Sequence, residues 1–138
     1  MTATVAPDIA LSLTWQGGQR FEGKFGDLSL TLDGKRAAGP SPVQGVAFAL
    51  AGCMGIDVVN ILEKGRQPLK ALSCDMNVFR EAEAPKKITG IELHFTVTGE
   101  IDADRVSRAI ALSREKYCSV WHSLNPAIDF KTTFTVHP

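Results

Sequence analysis

The first third of the chain alternates apolar and polar residues, which is the pattern of a strand with one buried face. The alternation covers Ile9–Trp15 and Leu28–Leu32, and a further strand candidate, Arg20–Phe25, lies between them. The segment Gln16–Gln19 contains two glycines and is typical of a turn between neighbouring strands. These features predict three short strands that follow one another as a meander.

A long helix is predicted to follow, from Val43 to Lys64. Ser41 suits its N-cap, Pro42 its first helical position, and Gln44 the position that completes a capping box. Gly65 is a stop signal. Apolar side chains occupy nearly every face of this helix, so it must be surrounded by protein. Because one small sheet cannot enclose it, we expect a partner chain to bury part of it.

The remaining elements are predicted from the same periodicities. Strands are expected at 72–79 and 88–98, an amphipathic helix at 102–116, a short helical piece at 119–124 and a last strand at 128–136. The order βββ-α-ββ-α-α-β indicates an α+β fold, in which an antiparallel sheet wraps around a long, buried central helix. A length of 138 residues suits a single domain over residues 1–138.

Composition argues against several classes of protein. The chain is 44% hydrophobic and 22% charged with a formal net charge of zero, which suits a folded soluble protein without a nucleic-acid or membrane-surface partner. Residues 1–11 lack the basic start and apolar run of a signal peptide, so we expect a cytoplasmic protein. The longest nearly apolar stretch, Val43–Ile56, is shorter than the roughly 20 residues that span a bilayer. Three scattered cysteines without a CxxC or HExxH motif argue against a structural zinc site.

Cys53 lies in the middle of the predicted long helix, among apolar residues. Burial there raises the pKa of a thiol and makes it inert, and Asp57, one helical turn further on, would oppose a thiolate. A reactive Cys53 therefore requires a cation, for which Arg36 is the first candidate and Arg20 the second. The alternative is a silent cysteine that packs as a small apolar residue.

Cys118 lies near the predicted end of a helix and follows Lys116, whose charge can favour a thiolate. Here too the alternative is a buried, unreactive cysteine. Cys74 falls in an alternating strand and is interpreted as a core residue. Cys53 and Cys118 are 65 positions apart, and they can form a disulfide only if the fold brings their Cα atoms within about 7 Å.

Two parts of the sequence resemble a known family. The segments Gly39–Gln44, Ala49–Cys53 and Asp57–Leu62 resemble the region that opens the central helix of the OsmC/Ohr family. Lys116–Val120 is similar to the segment that carries the second cysteine of that family. The order of strands and helices around both parts matches the family over nearly the whole chain.

The resemblance implies a function and a site. It implies an interleaved homodimer that reduces organic hydroperoxides without a bound cofactor or metal, with Cys53 as the peroxidatic cysteine and Cys118 as the resolving one. An external dithiol, lipoyl-linked by analogy with the family, would regenerate the thiols. In the family a glutamate near the start of the central helix pairs with an arginine that faces the reactive thiol. Gln44 stands at the glutamate position, and Arg36 is the first candidate for the arginine.

Gln44 cannot reach Cys53 within one straight helix. It precedes Cys53 by nine residues, which places it half a turn out of phase and about 13.5 Å away along the axis. It could act only by orienting an arginine that comes from elsewhere, and the alternative is a plain capping residue. A neutral amide binds a guanidinium more weakly than a carboxylate does. Gln44 would therefore hold the arginine beside Cys53 less firmly than a glutamate, which leaves room for a second hypothesis. The same dimer fold could serve a non-catalytic small-molecule-binding or stress-response protein.

Overall fold

The computed structural model of the protein describes residues 5–138 and divides into two compact units. The N-terminal unit ends at Val46, and the C-terminal unit runs from Ala47 to Pro138. Residues 1–4, which begin the segment considered above for a signal peptide, lie outside the described residues. That the chain forms a single domain stays a prediction.

The N-terminal unit contains the predicted meander. Its strands β1 (Ser12–Trp15), β2 (Arg20–Phe25) and β3 (Leu28–Asp33) pair antiparallel in the order β1-β2-β3. The first strand begins at Ser12, three residues later than the alternation predicted. The register sets Trp15 beside Phe21 and Phe21 beside Leu32, so the alternating apolar residues share one face. We call this surface the N-terminal apolar face; it consists of Leu13, Trp15, Phe21, Phe25, Leu28, Leu30 and Leu32.

Helix α1 (Pro42–Lys64) has the bounds that its capping residues predicted. The backbone N–H of Ser41 donates to Gln44 Oε1 at 2.9 Å, and the N–H of Gln44 donates to Ser41 Oγ at 3.2 Å. This reciprocal pair is a capping box. The helix is also long and apolar enough to cross a membrane by length and composition, a test that the core helix of a soluble protein passes equally well.

Only one stripe of α1 is buried within the chain. Its members recur every four residues and are Leu50, Met54, Val58 and Leu62. Other apolar side chains of the helix stay exposed, and Phe48 and Ile56 are 71% and 64% exposed. The helix is therefore half-covered by its own chain, and burial of the rest by a partner stays a prediction.

The C-terminal unit is built on a second sheet of three strands, β4 (Ala71–Arg80), β5 (Ile88–Thr98) and β6 (Asp129–His137). Strands β4 and β5 form an antiparallel pair, whereas β6 lies parallel to β5. The parallel pair differs from the antiparallel sheet that was predicted. The chain between β5 and β6 contains the remaining helices, and a crossover of this kind joins parallel neighbours. The α+β class and the order of the elements are confirmed.

The core of this unit is centred on β5. Its inward side chains, Ile91, Leu93, Phe95 and Val97, are buried and join the α1 stripe in one apolar cluster. Helix α2 (Ala103–Leu112) adds Val106, Ala109 and Ile110 to this cluster, as its amphipathic pattern predicted. Asp102 caps α2 by accepting a hydrogen bond from the N–H of Asp104 at 3.2 Å.

The segment after α2 departs from the prediction of one helix as far as Lys116. The α-helix ends at Leu112, and a π-helix of one turn (Ser113–Tyr117) continues it. The N–H of Cys118 donates to the carbonyl oxygen of Ser113 at 2.8 Å and closes this wider turn. Cys118 has an extended backbone, and the short helix α3 (Ser119–His122) begins directly after it.

Candidate functional site

The C-terminal unit brings two of the predicted site residues together. Cys53 is half-buried on α1, and Cys118 is fully buried at the end of the π-helix. The two thiols are close enough for Cys53 to raise the pKa of Cys118, although they come from different elements and are far apart in sequence. All three cysteines of the chain are free. The unit therefore holds a reduced pair of adjacent thiols at the junction of α1 and the π-helix.

Cys118 is held by contacts of its own backbone and sulfur. Its Sγ accepts a hydrogen bond from the N–H of Trp121 at 3.3 Å, so the sulfur serves as the N-cap of α3. Its own N–H is bound by Ser113, as described above. The sulfur is thus fixed from both sides in sequence, by the π-helix before it and by α3 after it. Single-turn π-helices of this kind are frequent at functional sites.

Burial raises the pKa of the Cys118 thiol to about 11. The hydrogen bond and the charge of Cys53 raise it as well, while the N–H groups of Trp121 and Val120 act in the opposite direction. Cys118 is buried, and its pKa is raised although Lys116 is close to it in sequence. Whether the thiol is reactive stays a prediction. Lys116 is exposed and its ammonium lies 5.3 Å from the centre of the Tyr117 ring.

Asp57 lies one helical turn after Cys53 and is tied to the π-helix. The hydroxyl of Ser113 donates to Asp57 Oδ2 at 2.8 Å, and Ser113 is fully buried. Sequence reasoning missed Ser113. The available signal was its position on the apolar stripe of α2, four residues after Ala109 and three after Ile110. A polar residue at such a position requires a partner.

A second residue of the π-helix was also missed. The guanidinium of Arg114 lies 4.7 Å from the centre of the Phe130 ring and 5.8 Å from that of Trp121. The two rings contact each other with their centres 4.6 Å apart. Cation–π contacts of this geometry hold Arg114 against the aromatic pair next to α3. The sequence did not point to Arg114, because contacts between a helix and a distant strand leave no local trace in the sequence.

The other predicted site residues belong to the N-terminal unit. Arg36 adopts a left-handed backbone with φ of 58° in the loop after β3. Asp33 shapes that loop, because its carboxylate accepts hydrogen bonds from Lys35, Ala38 and Ala37. These bonds, led by that of Lys35, lower the pKa of Asp33, and the charge of Arg20 contributes the least. A role for Arg36 or Arg20 toward Cys53 stays a prediction.

Gln44 serves as a capping residue through its carbonyl oxygen, as the capping interpretation predicted. A carbonyl oxygen has two lone pairs, and the bond from Ser41 uses one of them. A second bond from a guanidinium is therefore compatible with the cap. Whether Gln44 also orients an arginine stays a prediction.

The model of the OsmC-like protein family matches residues 32–133, which is most of the chain. The chain therefore belongs to the OsmC-like family, and the resemblance found in the sequence is confirmed.

Individual relatives agree with this assignment. Protein YhfA of Escherichia coli (strain K12) is 39% identical over 125 residues, which cover 88% of this chain and 93% of that protein. The crystal structure of a hypothetical protein from Aquifex aeolicus VF5 is 27% identical, with a TM-score of 0.85 and coverage of 92% of this chain and 94% of that one. An organic hydroperoxide resistance protein OsmC from Legionella pneumophila is 19% identical, with a TM-score of 0.70 and coverage of 95% and 100%. At that identity the likeness shows the fold alone.

Proposed function

We propose that this protein is a thiol-dependent peroxidase that reduces organic hydroperoxides, with Cys53 as the attacking cysteine and Cys118 as the resolving one. The observation that carries the proposal is the contact between two free thiols, one half-buried and one fully buried. Solved relatives of the same fold, from Legionella pneumophila and Bacillus subtilis, are named organic hydroperoxide resistance proteins. Their names supply the substrate class of the proposal.

The chemistry proceeds in three balanced steps. The thiolate of Cys53 attacks the outer oxygen of the hydroperoxide, so that an S–O bond forms, the O–O bond breaks and the alkoxide leaves as the alcohol after taking up a proton. The thiol of Cys118 then attacks the sulfenic acid, an S–S bond forms, and the hydroxyl leaves with the thiol proton as water. An external dithiol, lipoyl-linked by family analogy, returns both cysteines to thiols and becomes a disulfide itself.

The environments of the two thiols support this division of roles. Cys118 is fully buried, so it is shielded from substrate and suits the second step, in which it attacks the sulfenic acid of its neighbour and its proton passes to the departing hydroxyl. Cys53 is half-buried and is the better candidate for meeting a substrate. Because Asp57 lies one turn away, Cys53 needs a cation to act as a thiolate. We assign that role first to Arg36, with Arg20 as the second candidate and Gln44 as the residue that orients the guanidinium.

A homodimer belongs to the proposal. Six side chains of the N-terminal apolar face are between 41% and 63% exposed, and Phe48 and Ile56 of α1 are exposed as well. Exposed apolar surface of this kind, on each of the two units, supports an interface with another chain. A second copy of the chain carries the same surfaces, and isologous pairing of two copies is the commonest arrangement of small oligomers. We expect the dimer in the cytoplasm, with no nucleic-acid or membrane partner.

The direct test is turnover of cumene hydroperoxide and tert-butyl hydroperoxide by the purified protein with dihydrolipoamide as the reductant. Cys53→Ser should abolish turnover, because no other residue supplies the attacking sulfur in the proposed cycle. Cys74→Ser is the matched control, since Cys74 is also half-buried and faces α1 near Gly55, and it should keep the activity. Equal rates of the original protein and Cys53→Ser would contradict the proposal.

A second candidate function is a non-catalytic binding or stress-response protein with the same fold. The observation that favours it is Gln44, an uncharged residue whose carbonyl oxygen is engaged in the helix cap. In that case Cys53 would alkylate slowly with iodoacetamide at pH 7, and native mass spectrometry would find a small molecule retained by the purified protein. Rapid alkylation of Cys53 together with hydroperoxide turnover would exclude this alternative.

A further inference from the structure

The buried hydrogen bond between Ser113 and Asp57 lies directly beside the two thiols. Asp57 follows Cys53 by one turn of α1, and Ser113 precedes Cys118 by the one turn of the π-helix. Cys53 contacts Cys118 at one end of these paired turns, and Asp57 accepts the Ser113 hydroxyl hydrogen bond at the other, with an O···O distance of 2.8 Å. The four residues therefore connect α1 to the π-helix at two places, one turn apart.

Ser113 is the residue that links the two elements. Its hydroxyl donates to α1, its carbonyl oxygen accepts from the N–H of Cys118 at 2.8 Å, and its own N–H donates to the carbonyls of Ala109 and Ile110. Every polar group of this fully buried residue is thus used. A hydroxyl on the apolar stripe of a helix costs free energy unless it is hydrogen-bonded, and alanine would fill the same place without that requirement. The hydroxyl therefore calls for an explanation beyond packing.

We propose that Asp57 and Ser113 are positioning residues, which hold the π-helix against α1 so that the sulfur of Cys118 stays within bonding reach of the sulfur of Cys53. This inference rests on the proposed function, since it concerns the disulfide that closes the resolving step. Disulfide geometry tolerates little displacement of the two chains. A hydrogen bond one turn away fixes both the distance and the relative rotation of the two elements at the thiols.

The quantity that reports this positioning is the effective concentration of the two thiols for each other. It is obtained by equilibrating the protein with mixtures of reduced and oxidised glutathione at pH 7, trapping free thiols by alkylation and measuring the Cys53–Cys118 disulfide by mass spectrometry. In the balanced exchange, the protein dithiol and one oxidised glutathione give the protein disulfide and two reduced glutathiones. All variants carry Cys74→Ser, so that only one disulfide can form within the chain.

Four variants separate positioning from plain stability. Ser113→Ala and Asp57→Ala remove the hydrogen bond and should each lower the effective concentration about tenfold or more. Asp57→Asn keeps an oxygen that accepts from Ser113 while it removes the charge, and it should restore the value to within about threefold. Val97→Ala opens a cavity in the same core but removes neither a cysteine nor the hydrogen bond between Ser113 and Asp57. It should destabilise the protein yet leave the effective concentration within about threefold of the value of the parent protein.

The outcomes are distinct. If Ser113→Ala and Asp57→Ala give the same effective concentration as Val97→Ala, Asp57 and Ser113 have no positioning role. That result would leave the peroxidase proposal unaffected. If the parent protein forms no Cys53–Cys118 disulfide at all, the peroxidase proposal and this inference are both overturned. Should Ser113→Ala fail to fold, the comparison of Asp57→Ala with Asp57→Asn decides, because both lack the charge and only one lacks the hydrogen bond.

Discussion

The two sheets of the protein have the same number of strands and the same alternation of apolar and polar residues, but they differ in what covers their apolar faces. On β5, Phe95 and Val97 are fully buried in the core that α1 and α2 complete. On the N-terminal apolar face, Trp15 and Leu30 are among the side chains that stay exposed. Alternation in a sequence therefore determines which residues share a face. It does not determine whether that face is covered by the same chain or by another one.

The largest effect should come from the buried sheet. Phe95→Ala is expected to lower the free energy of unfolding by about 3–5 kcal/mol, because it leaves a cavity in the core. Phe25→Ala makes the same change on the N-terminal apolar face, where the side chain is 57% exposed within its own chain and the proposed second copy would supply further contacts. Its cost should therefore vary with protein concentration. Urea unfolding at two protein concentrations measures the free energy of unfolding of both variants. Equal losses for the two variants at every concentration would contradict the proposed difference between the sheets.

A charge on the N-terminal apolar face should come next in size. Leu30→Asp is expected to raise the dissociation constant of the proposed dimer by about a hundredfold or more, since an unpaired carboxylate would lose its hydration in the interface. Ser29→Asp is the matched control on the opposite face, where the new charge lies beside Lys24 in the register. Sedimentation equilibrium measures both variants. A dimer that tolerates Leu30→Asp would show that another surface holds the copies together.

The smallest effect should be a change in the pH dependence of stability at the end of β3. Backbone hydrogen bonds lower the pKa of Asp33 in the folded protein, so its carboxylate stabilises the fold above the pKa of the unfolded chain, about 4. That stabilisation should fade as the pH falls from about 4 through the lower pKa of the folded state. Urea unfolding at pH 7 and pH 3 should therefore show a difference between the original protein and Asp33→Asn that shrinks in acid. A difference of the same size at both pH values would contradict this assignment.

Local structure was predictable from the sequence to a large extent. The bounds of β2, β5 and α1 follow from periodicity, turns and caps, all of which act within a few residues. The parallel pairing of β5 with β6 was not predictable, because it depends on how a crossover of about thirty residues packs and not on either strand alone. The exposure of the N-terminal apolar face was likewise invisible, since an alternating strand looks the same whether its cover is its own chain or another.

The candidate site was predictable only in part. Cys53 and Cys118 could be identified through the family resemblance, and the capping role of Gln44 followed from its spacing to Ser41. The high pKa of Cys118 depends on burial, which outweighs the neighbouring Lys116 that the sequence displays. Ser113 could have been found as a polar residue on an apolar stripe, whereas the contact of Arg114 with Phe130 depends on the tertiary fold.

The π-helix makes the site sensitive to the length of the chain and not only to its residues. A π turn contains about one residue more than an α turn, and each residue of an α-helix turns the chain by about 100°. If any one residue between Leu112 and Cys118 were removed, the α-helix could continue without the π turn. The chain after it would then be rotated by about 100°, although both cysteines would remain in the sequence. A comparison of related chains should therefore count the residues of this turn as well as align the two cysteines. A related chain whose turn is one residue shorter would keep both thiols but would not bring them together.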